Sequence, residues 1–428
     1  MIRNVLVFPC ESAVGGELHQ ALRHSAHFRL YGCSEDPGRG RALYENHLGA
    51  LPALDSPLFL PELAKTIRNH AVHFVFPASD EAIVRMSEWS ADSLIEAEVM
   101  TPGPDMCRIC ASKGATYAFF AGKLPVPRQF RLDELGDADF PVVIKPDSRA
   151  VDGGVHIAAS RAEAEFMLRR SPLDSITEFL PGDEFTVDCF TDRSGSLLFV
   201  SGRERMRFSG GACVQSRLAE NPLFRRYAET INVELRPRGP WFLQLKEDRF
   251  GTLRLTEVRA RVGYVSGLQR AMGVNLPLLA LRERLGMPVS VPANAIPRAM
   301  VERSLANHCL LDMKYDAAYV DLDDTVVVGG QVNLDAARFV FQCRNRGVPV
   351  FLVFRGLRHP EKILRRHRLD NLFDDVFWIR GNEGKSTVIT HSRAVFVDDC
   401  PMERWEVRHS LGIPVFDPSG FESLLGPQ

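Results

Sequence analysis

FPVVIKPDSRAVDGGVHIA, residues 140–158, decides how the first two thirds of the chain is read. A short apolar run between Pro141 and Pro146 reads as a buried strand that delivers Lys145 at its end. The loop that follows carries Gly153 and Gly154 and leads to a second strand-like run. Glycine lets backbone amides close on an anion, so a lysine, a glycine loop and a returning strand suit phosphate. Two adjacent glycines in a turn are, taken alone, more often a plain hairpin. The surroundings have to decide.

The chain has 428 residues. One hydrophobic core stops growing at roughly 250–300 residues, so at least two domains are expected. Lys+Arg 52 against Asp+Glu 54 gives a net charge of -2 with no long block of one sign. That balance argues against nucleic acid or an anionic membrane as partner and leaves small molecules. The opening MIRNVLVFPCES is too short an apolar run for a secretory signal, and no stretch reaches the roughly 20 apolar residues of a membrane span. A cytoplasmic protein is expected. Nine cysteines, an odd number, fit reduced thiols, and Cys107 with Cys110, lacking a second CxxC pair, read as ordinary buried thiols.

Apolar runs such as NVLVFP, HFVFPA, AAYVDL, VPVFLVF and RAVFVDD alternate with helical-period stretches such as GELHQALRH and LDAARFVFQCRNRG. This is the pattern of parallel α/β sheets covered on both faces. From about 186 to 262 the pattern changes to FTVDCF, SLLFVSG, WFLQLKE and TLRLTEVR, joined by DRSG and DRFG turns, which argues an antiparallel sheet. GMPVSVPANAIP (286–297) reads as a linker and MVERSLANHCLLDM (300–313) as a helix. The expected organisation is 1–95 Rossmann-like, 96–290 with a flap at about 114–185, 291–314 linker and helix, and 315–428 a C-terminal α/β domain.

VDLDDTV (320–326) places Asp321, Asp323 and Asp324 directly after a buried strand. Burying carboxylates there is expensive unless a cation is bound, and the loop lacks the glycine of a calcium site. Later strand ends bring Lys385 (GNEGKST) and Asp398 with Asp399 (RAVFVDD) to the same sheet edge, where α/β folds place their sites. These motifs resemble those of the haloacid dehalogenase-like phosphatase superfamily. The resemblance implies a Mg²⁺-dependent phosphatase with Asp321 as nucleophile, Asp323 as acid and base, and Lys385 as counter-charge. Asp398 and Asp399, with Asp321 and Asp323, would hold the metal. Two departures stand out: Phe354 occupies the place of the family's phosphate-binding Ser or Thr, with Arg355 a candidate substitute, and no cap insertion is visible.

CASKGATYAFF (110–120), TEFLPGDEFTVD (177–188), FLQLKEDRFG (242–251) and LTEVRARVGYVSGL (255–268) complete the setting of the opening stretch. Together they resemble the ATP-grasp superfamily, nearest its carbamoyl-phosphate-synthase, biotin-carboxylase and amino-acid-ligase members. The resemblance implies a Rossmann-like domain followed by two lobes that clasp ATP. Lys113 and Lys145 would contact phosphates, Gly153 and Gly154 would form the flap, Glu178 and Leu180 the adenine hinge, and Glu184 would take the ribose. Gln244 and Glu257 would ligate Mg²⁺, and Arg261 would face a phosphorylated intermediate. The family's E-x-N-x-R reads Glu257-Val258-Arg259-Ala260-Arg261 here, and an arginine cannot ligate a metal. In RERMRFSGGACVQSR (203–217), Arg203, Arg205 or Arg207 is a candidate for a substrate carboxylate, and an exposed basic strand is the alternative.

The expected protein is bifunctional: an ATP-dependent carboxylate–amine ligase fused to a phosphatase of a phosphorylated metabolite, with ATP and Mg²⁺ as cofactors. A homo-oligomer is compatible with this. The rivals are a nucleotide-binding regulatory or scaffold protein with decayed sites, and a carboxylase-like or kinase-like step.

Overall fold

The computed structural model describes residues 2–426 except 37, 148–153, 172–173, 210–211, 292–295, 297, 305–308, 310, 357–358 and 382. The chain divides after Ser304 into two compact units. No helix among the described residues is long and apolar enough to cross a membrane.

Among its described residues, unit 1 contains three sheets. The first is parallel and runs, edge to edge, β3 (His47–Ala50), β2 (Phe28–Ser34), β1 (Arg3–Phe8), β4 (Val72–Pro77) and β5 (Glu98–Val99). Val5 and Val7 pack on one face and Leu6 and Phe8 on the other, as expected of a doubly covered sheet. The second is four-stranded: β6 (Gln129–Phe130), β9 (Asp174–Glu178), β7 (Val142–Pro146) and β8 (His156–Ala158) in that spatial order, with the helix Arg161–Arg170 packed against it. The third holds β10 (Glu184–Thr191), β11 (Leu197–Ser209), β12 (Ala212–Ala219), β13 (Gly239–Glu247), β14 (Leu253–Arg259) and β15 (Met300–Glu302), all pairs antiparallel. Its spatial order is β14-β13-β10-β11-β12-β15.

The antiparallel stretch therefore forms where the alternating segments are read. The helix expected over 300–313 does not: Met300–Glu302 is a strand, and none of the described residues from 303 to 314 is helical. Met300, Val301 and Glu302 pair with Arg217, Ser216 and Gln215, so the open edge of β12 supplies backbone partners that override local helix propensity.

One face of the third sheet is apolar. Val187, Cys189, Trp241, Leu243, Leu245, Leu255 and Val258 pack there against the helices Pro104–Ala111, Lys113–Phe120 and Pro222–Leu235. Cys107 and Cys110 belong to this core as free thiols, and burial pushes Cys107 up to about 11, which suits neither redox exchange nor metal binding. Trp241 is 1% exposed and its Nε1 donates to Thr191 Oγ1 at 2.9 Å. Trp241→Ala is expected to destabilise unit 1 by about 3–5 kcal/mol through cavity formation, whereas Phe250→Ala at an exposed tip should shift stability by about 0.5 kcal/mol or less. Chemical denaturation of both variants checks this.

Strand β14 contains a bulge: Gln244 pairs with Glu257 and Leu245 with Leu255, leaving Thr256 as an extra residue. Leu255 and Val258 thus face the core together, and Glu257 and Arg259 turn to the opposite, polar face.

Unit 2 is a parallel sheet, β20 (Asp375–Ile379), β19 (Val350–Arg355), β16 (Ala317–Val320), β21 (Ala394–Val397) and β22 (Val415–Phe416), beside a small hairpin of β17 (Val327–Val328) and β18 (Gln331–Val332). Its central strand β16 is wholly buried, with apolar clusters on both faces.

Candidate functional sites

The polar face of the third sheet is set by alternation along β10 and β13. Glu184 pairs with Lys246, Thr186 with Gln244 and Asp188 with Phe242, and Gln244 in turn lies opposite Glu257. The Arg205 guanidinium bonds the Glu184 carboxylate and donates to Gln244 Oε1 at 3.2 Å. Lys246 stands 3.7 Å from Glu184 on its other oxygen, and burial, with Arg205 adding to it, lowers the Lys246 ammonium.

Lys145 enters from β7 of the four-stranded sheet. Its Nζ donates to Tyr117 Oη at 3.1 Å, and Tyr117 Oη donates at 3.0 Å to the carbonyl of Thr256, the bulged residue. Burial, reinforced by the charge of Lys113, brings the Lys145 ammonium down to about 8 against the opposing pull of Glu257. Lys113 Nζ donates to the carbonyls of Pro146 at 3.1 Å and Asp147 at 3.4 Å. The Asp147 carboxylate accepts from Ser112 Oγ and Gly114 N, both at 2.6 Å, so it caps the helix that carries Lys113 and Tyr117.

Beside Glu257 the charges are paired. The Arg259 guanidinium bonds the Glu257 carboxylate, donates to the Cys110 carbonyl at 2.5 Å and lies 3.8 Å from Asp80. Arg261 Nε donates to Asp80 Oδ1 at 2.6 Å. Burial alone would depress Arg259, yet Glu257 and Asp80 more than offset it and hold the group charged.

The expected substrate arginines separate. Arg205 sits in the cluster just described, while Arg203 is buried and committed to Asp188 at 3.0 Å and Ser216 at 3.2 Å. Arg207 pairs with Glu302 on β15. At the far end of β9, Glu178 accepts from the Arg128 amide at 3.2 Å, Leu180 is buried and Gly154 is exposed. Gly153 lies outside the described residues.

In unit 2, Asp321 leaves the end of β16, and Asp398 with Asp399 leaves the adjacent parallel β21. Lys385 Nζ donates to Asp321 Oδ1 and to Asp398 Oδ2, each at 2.6 Å. Burial pushes Asp321 up to about 7 in spite of Lys385, and the two carboxylates raise the lysine in turn. Asp321, Asp398 and Asp399 each place an oxygen within 4.8 Å of the others, a hard-oxygen donor set that suits Mg²⁺. Asp323 is exposed beside this cluster, and Asp324 turns the loop at φ 54°. Arg404 Nη1 donates to the carbonyls of Asp398 at 2.5 Å and Asp399 at 2.7 Å, which fixes the acidic pair. Glu406 bonds Ser386 and so holds the turn bearing Lys385; a Cβ at Gly384 would collide with that carboxylate. Phe354 is fully buried, and Arg355 is tied to Glu403 at 2.7 Å and the Gly381 carbonyl at 2.6 Å.

A family described as "ATP-grasp in the biosynthetic pathway with Ter operon" matches residues 175–304. No curated protein matches the sequence. Among solved structures, the biotin carboxylase domain of Hydrogenobacter thermophilus 2-oxoglutarate carboxylase is 12% identical, covering 68% of this chain and 72% of that one, with a TM-score of 0.56. The L-amino acid ligase of Bacillus licheniformis is 16% identical over 67% and 75%, TM-score 0.53. The ADP complex of N5-carboxyaminoimidazole ribonucleotide synthetase is 15% identical over 69% and 80%, TM-score 0.55. Unit 1 has the ATP-grasp fold.

Within it, Lys145, Glu184, Arg205, Gln244 and Glu257 gather on one polar surface, with Lys113 beside Lys145. Sequence reasoning missed Tyr117, Asp147, Lys246 and Asp80 in the ATP-grasp unit, and Arg404 and Glu406 in the other. Tyr117 stands four residues after Lys113, one helical turn on, and that spacing was a usable signal.

Proposed function

We propose that unit 1 is an ATP-dependent carboxylate–amine ligase and that unit 2 is a Mg²⁺-dependent phosphatase of the haloacid dehalogenase type. The observation that carries the first reading is the meeting of Lys145 and Tyr117 with Glu257 and Gln244 across two sheets of an ATP-grasp fold. The names of the structural neighbours support it: one is a ligase of amino acids, and another was crystallised with MgADP and bicarbonate.

Lys113, Lys145 and Lys246 would neutralise the triphosphate, and Glu184, between Lys246 and Arg205, would accept from the ribose. Glu257 and Gln244 would hold Mg²⁺, which when bound screens charge on the phosphates. A substrate carboxylate attacks the γ-phosphorus, ADP departs, and the acyl phosphate is then attacked by an amine with loss of phosphate. Arg205, which bonds Glu184 and Gln244, would orient the carboxylate.

The second reading rests on Lys385 bridging Asp321 and Asp398. Asp321 would take the phosphoryl group and Asp323 would protonate the leaving oxygen and then activate water. Asp321, Asp398 and Asp399 would hold Mg²⁺, which supplies charge neutralisation on the phosphoryl oxygens. Phe354 and the commitment of Arg355 to Glu403 and Gly381 favour slow turnover there, because a phosphate donor is lost.

Both readings are tested by incubating the full chain with MgATP and a metabolite extract, followed by mass spectrometry and ADP assay. ADP release matched by an amide product supports the ligase. Absence of substrate-dependent ADP release across a broad panel, from protein shown to bind ATP, overturns it.

A further inference from the structure

We infer that Arg259 is a resident cation at Glu257, so that unit 1 takes its nucleotide with one divalent ion where two would otherwise fit. The inference rests on the reading of unit 1 as an ATP-binding ligase, and it is carried by how Arg259 is held.

Arg259 is 2% exposed and anchored at three points: the Glu257 carboxylate, the Cys110 carbonyl at 2.5 Å and Asp80 at 3.8 Å. The bulge at Thr256 is what turns both Glu257 and Arg259 to the polar face, so their pairing is built into the strand. The charges close locally. Glu257 and Asp80 carry two negative charges, and Arg259 and Arg261 carry two positive ones. A carboxylate paired in this way has one oxygen already engaged by a guanidinium, which a divalent cation would have to displace to bind both oxygens. Gln244 is constrained alike, its Oε1 accepting from Arg205 at 3.2 Å. A second dication beside Glu257 would face the fixed, buried guanidinium with no added carboxylate to offset it. Among the described residues, a cluster of three or more carboxylate, His or Cys ligands occurs only at Asp321, Asp398 and Asp399 in unit 2.

Arg259 also does what a mobile ion cannot. It joins β14 to the carbonyl end of the helix Pro104–Ala111, directly ahead of Ser112 and Lys113. Loss of the guanidinium therefore removes a partner of Glu257 and loosens the seat of the phosphate-binding lysine together.

The test counts ions on the full chain. In an Asp398→Asn, Asp399→Asn background that silences unit 2, Mn²⁺ is titrated with a non-hydrolysable ATP analogue and followed by electron paramagnetic resonance. One Mn²⁺ per bound nucleotide is expected with Arg259 present and with Arg259→Lys, and two with Arg259→Asn. Two ions with Arg259 present, or no gain in Arg259→Asn whose circular dichroism matches the parent, overturn the inference and leave the ligase reading standing. Failure to bind the analogue at all overturns that reading, and the inference with it.

Discussion

Asp321→Asn is expected to abolish phosphomonoester hydrolysis by unit 2, lowering the rate by at least about a thousandfold. The amide keeps the shape of the side chain but cannot attack phosphorus. It also leaves Lys385, which donates to Asp321 and Asp398 at 2.6 Å each, with a single anionic partner. The protein should stay folded, because an uncharged amide is easier to bury than a carboxylate whose burial already raises it to about 7. Wild type and variant are compared on a panel of phosphorylated metabolites with Mg²⁺, and equal rates would remove Asp321 from the chemistry. Acidification should act in the same direction as the mutation. Below about pH 7 a proton on Asp321 competes with the metal, so Mg²⁺ affinity should weaken as pH falls and level off above it.

Lys145→Met is expected to weaken ATP binding and ATP-dependent turnover by about a hundredfold or more, since on the proposed reading it removes a desolvated cation that would meet the phosphates. Tyr117→Phe, which removes only the hydroxyl between Lys145 and Thr256, should cost about tenfold. The pH dependence has a definite sign. Burial holds Lys145 near 8, below the ordinary lysine value, so in the nucleotide-free protein its charge is present below that pH and lost above it. Affinity for ATP should be flat below about pH 7 and fall by up to about tenfold per pH unit above 8. Lys145→Arg, whose guanidinium does not titrate in this range, should abolish the fall. Calorimetric titrations across that range decide it, and a flat profile for the wild type would rule out Lys145 as a titrating phosphate contact.

The parts of both sites that were legible are those in which polar residues interrupt apolar strands at chain positions that topology brings together. Asp321, Lys385 and Asp398 could be grouped from sequence because parallel strands end on one edge of a sheet. Glu257 and Gln244 could be named together only through the family resemblance, and the strand register sets them opposite one another. Partners that arrive sideways from distant sequence were not legible. Asp80, which opens a helix of the first sheet's domain, reads as a helix-start acid until Arg261 is seen on it. Arg203 and Arg205 look equivalent at two-residue spacing, yet Asp188 commits one and Glu184 and Gln244 receive the other. The strand at Met300–Glu302 follows from an open sheet edge that no local pattern announces.

The bulge on β14 has a consequence for the length of the gene as well as for its spelling. On strict alternation Leu253, Leu255, Glu257 and Arg259 would share one side, mixing oil with charge; Thr256 is the spacer that separates them. In-frame loss of Thr256 would thus leave Leu255, Glu257 and Val258 facing as they do now. Losing Val258 instead would carry Arg259 to the apolar side. The spacer is nonetheless not idle, because its carbonyl, released from the ladder, is the anchor for Tyr117 and through it for Lys145. A deletion scan along Leu253–Arg259 would therefore separate the two demands on this segment, correct facing and correct tethering.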